Sequence, residues 1–94
     1  MTRKSLAETL YEDTEGTPEE PGQQWLLLYD FKGIKPGTKF YTNLARLSAL
    51  KGETRPIQYS ALHTTSMRVI LAAKKLATHY GAKTIAFKVK ETDP

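Results

Sequence analysis

Trp25-Leu26-Leu27-Leu28-Tyr29-Asp30-Phe31, closed by Lys32-Gly33, is the stretch whose reading decides the fold. Apolar except for the aspartate and bounded by a glycine, it predicts a buried β-strand. Alternation sends Trp25, Leu27, Tyr29 and Phe31 to one side and Leu26 and Leu28 to the other, so both sides are greasy. In so small a domain helices can cover one side only. The second side is therefore expected to meet another copy of the chain, as a homodimer.

Downstream, Pro36-Gly37-Thr38 opens a predicted helix to about Lys51, with Thr38 as N-cap and Gly52 as stop. Phe40, Leu44, Leu47 and Leu50 form its apolar stripe. Arg55 to Leu62 predicts a second strand, in which Pro56 fits only at a strand start or sheet edge. His63-Thr64-Thr65 predicts a short third strand, although one long bent strand over Glu53 to Thr65 accounts for the same residues. Ser66 then caps a helix from Met67 to Tyr80, with Val69, Ala72, Ala73 and Leu76 inward and Gly81 ending it. In Lys83 to Lys90, Ile85, Phe87 and Val89 alternate with Ala86, Lys88 and Lys90, the pattern of a half-buried strand. The whole is an α+β chain of βαββαβ order, a ferredoxin-like sandwich with helices on one face of an antiparallel sheet.

Upstream, residues 1–24 read as an acidic and largely disordered arm, leaving residues 25–94 as the domain. Ser5 to Tyr11 has capping-box spacing, but an isolated helix that short is marginal in water. The arm carries two cations against six acids, a net −4, while residues 25–94 carry twelve against four, a net +8. A basic body implies a polyanionic partner, most simply duplex DNA or RNA. Lys32, Lys35, Lys39, Arg46, Arg55, Lys88 and Lys90 are the candidate phosphate contacts, with few side chains suited to base edges beside them. The chain holds no cysteine, which excludes disulfides and thiolate zinc sites and fits a reducing, cytoplasmic setting. No apolar run reaches the ~18 residues of a membrane span, so no membrane is expected.

Gly33 to Lys39 lies between a strand and a helix, as a phosphate loop does, but its spacing is one residue short and its Lys-Thr order reversed. His63 and His79 have no cysteines and few acids to complete a metal cluster. Asp30 stands out because, from Trp25 to Lys90, it and Glu53 are the only acids. A carboxylate ending an apolar strand needs a charged partner or turn amides. Two readings follow: a ligand for magnesium or manganese, shared across a dimer axis, or an aspartate bonded to the turn at Lys32 and Gly33.

Tyr29-Asp30 at the strand end and Gln58-Tyr59-Ser60 further on resemble the signatures of the small CRISPR-associated adaptation proteins that partner the integrase, over roughly residues 24–90. That resemblance implies a ferredoxin-like homodimer that bridges integrase subunits and holds duplex DNA. It also implies a metal-dependent endonuclease activity in some members, with Asp30 as catalytic, metal-binding residue and Tyr29, Gln58 and Ser60 on the motif strands. VapD-like ribonuclease toxins look similar at the same places. A non-enzymatic scaffold or nucleic-acid-binding protein of the same fold is the remaining alternative.

Overall fold

A computed structural model describes residues 4–33, 37–51, 53–58 and 60–89. Within them the chain forms α1 (Leu6–Glu12), β1 (Gln24–Asp30), α2 (Thr38–Ser48), β2 (Thr54–Gln58), β3 (Ala61–Thr64), α3 (Met67–His79) and β4 (Lys83–Val89). The sheet runs β2-β3-β1-β4 with every neighbouring pair antiparallel. It is the α+β class expected, three helices and a four-stranded antiparallel sheet, and Pro56 sits on edge strand β2, where a missing N–H costs least.

β1 is an interior strand with β3, and it carries large apolar residues on both sides. Trp25, Leu27 and Tyr29 are buried in one cluster with Phe40, Leu44 and Leu47 of α2, Leu62 of β3, and Ile70, Ala72, Ala73 and Leu76 of α3. α3 is the best-specified helix. Its inward residues repeat at helical spacing, Ser66 Oγ accepts the Val69 N–H at 3.3 Å, and Gly81, at φ +93°, ends it in a conformation that favours glycine. α2 departs from its predicted bounds. Gly37 is its N-cap, without a side-chain bond, and Thr38 is already helical. The helix stops at Ser48 because Ala49 and Leu50 donate to the carbonyls of Arg46 and Leu47, three residues back, tightening the last turn.

Three expectations are corrected. The arm is not disordered: α1 packs chiefly on α2 and α3, burying Ala7, and the Ala7 N–H donates to Asn43 Oδ1 at 3.0 Å. Its cap is half of the expected box: Ser5 Oγ accepts the Glu8 N–H at 3.2 Å and donates to Glu8 Oε1 at 3.1 Å. Arg68 pins the segment that follows, donating from Nη2 to the Tyr11 carbonyl at 3.0 Å and from Nε to Thr14 Oγ1 at 3.1 Å, with its guanidinium 3.9 Å from the Tyr11 ring centre. Tertiary contact thus supplies what a seven-residue helix lacks alone. Second, Ala61 and Leu62 belong to β3, because the chain turns at Ser60 with no glycine to announce it. Third, β4 presents Ile85 and Phe87 away from the helices: its register sets Thr84, Ala86 and Lys88 beside the buried Tyr29, Leu27 and Trp25.

Tyr29 is buried against Phe31 and Phe40, and its hydroxyl has no hydrogen-bond partner among the described residues. Burial pushes its phenol from 10 up to about 12. The folded state keeps a proton that the unfolded chain releases, so this contribution to stability is complete below pH 10 and lost as pH rises toward about 12. Tyr29→Phe removes an orphan hydroxyl. It is expected to keep the neutral-pH stability and flatten that alkaline loss, as read by urea unfolding across the interval.

Candidate nucleic-acid interface

The topology sorts the charges by end. β1 finishes and β4 begins at one end of the sheet, where Asp30 is paired in register with Lys83. α2 starts and α3 finishes there too, since the Phe40 ring lies 5.4 Å from that of Tyr29 and 5.8 Å from that of Tyr80. Lys32 and Lys83, Lys39 in the first turn of α2, and Lys74, Lys75 and His79 in the C-terminal half of α3 are all exposed, on elements that begin or finish at this end. Asp30 is the one acid among them.

The other end holds the arm. Glu19 accepts the Arg68 N–H at the start of α3 (3.0 Å) and lies 4.0 Å from Lys51, while Glu20 lies 3.3 Å from Lys88. Lys4 pairs with Glu12 at 2.6 Å, and this bond raises the Lys4 pKa. These are the ion pairs among the described residues, and none engages a cation of the first end. The arm's acids therefore neutralise one end of the body and leave the opposite end basic.

The expected phosphate contacts divide accordingly. Lys32 and Lys39 stand at the basic end, and the exposed Arg46 follows Lys39 two turns along α2, on the order of 10 Å away. Arg55 is on edge strand β2, on the sheet side away from the helices, in register with His63. Lys88 is engaged by Glu20 and its ammonium lies 5.3 Å from the Trp25 ring. Lys35 and Lys90 lie outside the described residues. Lys74, Lys75 and Lys83 were not expected from the sequence. Their signal is their position on the polar side of α3 and at the start of β4, which gains meaning only when both elements end at the same place.

Asp30 lines a cleft of about 450 Å³ with Leu28, Tyr29, Lys32, Ser60, Lys83 and Ile85. The signature segments do adjoin: the Tyr29 N–H donates to the Ser60 carbonyl at 3.0 Å. Their roles differ from the expected ones. Tyr29 faces the core, Ser60 is in the β2–β3 turn rather than on a strand, and Gln58 ends β2. Magnesium or manganese fits this cleft poorly, because it offers one carboxylate and two ammonium groups. Glu53 is no help, since it lies at the opposite end beside Arg55 and His63. No group of three His, Cys, Asp or Glu placed to hold a metal ion occurs among the described residues. Among the described residues, Asp30, Lys32 and Lys83 are the charged groups that line this otherwise mostly apolar cleft.

The chain matches no family model, no curated protein and no solved structure.

Proposed function

We propose that this protein binds nucleic acid, as a homodimer, by gripping the phosphate backbone with the basic end of each subunit. The observation that carries the reading is the segregation of charge: Lys32, Lys39, Lys74, Lys75 and Lys83 share one end without an ion pair among the described residues, while the acids of the arm occupy the other. After α1, the order β-α-β-β-α-β and the sheet order β2-β3-β1-β4 support the ferredoxin-like plan. Point charges on flexible stems hold phosphates without reading bases, so sequence preference is weak. The adaptation-protein reading is supported by the Tyr29-Asp30 and Gln58-x-Ser60 segments alone, and binding does not depend on it.

The test is a lysine scan with an internal control. Lys32→Gln, Lys39→Gln and Lys75→Gln should each weaken binding to duplexes of any sequence and lower the salt slope by about 2, one contact being lost from each subunit. Lys88→Gln should do little, since its ammonium is already held by Glu20. Equal losses at Lys88, or none at the other three, would contradict the assignment of the basic end.

A further inference from the structure

The sheet face away from the helices carries ordered rows. Leu26 lies between His63 and Phe87, and Leu28 between Ala61 and Ile85. Leu28, Ile85 and Phe87 are 39%, 58% and 46% exposed, a contiguous apolar block on β1 and β4. Beyond it on one side is the pair Asp30 and Lys83, and on the other Gln24 and Val89. His63 Nε2 and Gln24 Oε1 satisfy each other at 2.9 Å. Asp30 and Lys83 are register neighbours, yet no ion pair joins them.

We infer that a second copy of this chain covers this face about a two-fold axis running along the strands, and that Asp30 and Lys83 of both copies close one end of the contact. This rests on the homodimer reading above and adds its geometry. In aligned packing, two sheets stacked face to face keep their strands within about 30° of one another, and the axis then runs either along or across them. An axis along the strands sets each row against the same row of the second copy. Leu26 and Phe87 meet their like, as do Leu28 and Ile85, and two carboxylates meet two ammonium groups with no net charge. An axis across the strands sets Asp30 and Lys83 against Gln24 and Val89 of the second copy. Both charges then lose water without gaining a counter-charge. Charge complementarity selects the first arrangement.

Two consequences follow. Asp30 is an interface residue, its charge balanced by lysine rather than by a metal. The basic ends of both copies also lie side by side at one end of the dimer, which doubles the phosphate contacts available to one duplex.

The experiment is sedimentation velocity on the full chain and its charge variants. Asp30→Lys makes the four-residue cluster all positive, and Lys83→Asp makes it all negative. Each should weaken dimerisation at least tenfold, while the double variant D30K/K83D should restore it. Far-UV circular dichroism should be unchanged throughout, and Phe87→Glu should give a monomer. A wild-type dimer indifferent to all three charge variants overturns this axis but leaves the homodimer standing. A wild-type monomer at micromolar concentration overturns both. A monomer whose Phe87→Ala variant loses single-stranded oligonucleotide binding would assign the face to stacked bases instead.

Discussion

Phe40→Ala is expected to cost about 3–5 kcal/mol, the largest loss of any single truncation considered. Phe40 is fully buried, and its ring lies 4.9 Å from that of Phe31, 5.4 Å from Tyr29 and 5.8 Å from Tyr80, each edge to face. It joins β1, α2 and α3 at the end where the basic residues stand. Truncation removes the ring's own transfer energy, leaves a cavity and forfeits edge-to-face contacts worth roughly 0.5–1.5 kcal/mol per pair. In a chain this size the melting temperature should fall by about 15–30 °C. Thermal unfolding checks it. A loss below ~1 kcal/mol would mean that this aromatic cluster does not set the core.

The second large effect concerns the arm. Arg68→Ala strips the Tyr11 carbonyl and Thr14 of their guanidinium partner and the Tyr11 ring of its cation. About 2–3 kcal/mol is expected, because charged hydrogen bonds exceed neutral ones and the site is partly shielded from water. Arg68→Lys should recover little, since an ammonium cannot form the planar fork that reaches both partners while lying on the ring. The distinguishing readout is limited proteolysis. Both variants should be cut faster between Glu12 and Gln24, while the wild type resists. An Arg68→Ala protein as stable and as resistant as the wild type would show that α1 is held by its own helix contacts.

Much of this fold is legible in the sequence, and the misreadings have physical causes. The central strand and α3 announce themselves locally, through an apolar run ended by Lys32-Gly33 and through the Ser66 cap and Gly81 stop. The arm reads as tether because its acids and prolines lie close together, whereas the residue that fixes it, Arg68, lies 57 residues beyond Tyr11. Alternation in β4 gives the period but not the side. Which side faces the helices is set by pairing with β1, where Ala86, itself exposed, falls beside the buried Leu27. The basic end is invisible in the linear order for the same reason, since Lys32, Lys39, Lys75 and Lys83 come from four elements. Asp30 is conspicuous in sequence as a lone acid, and only its register with Lys83 shows which charge stands beside it.

The most direct test of the central claim is the affinity of the full chain for a labelled duplex as salt is varied, read by fluorescence anisotropy. About four phosphate contacts give a log–log slope near −3.6, or about a hundredfold loss between roughly 50 and 200 mM salt. The account predicts that steep fall, the same for unrelated sequences, and a shallower one for Lys39→Gln. Binding that ignores salt, or no binding at the lowest salt, would contradict it.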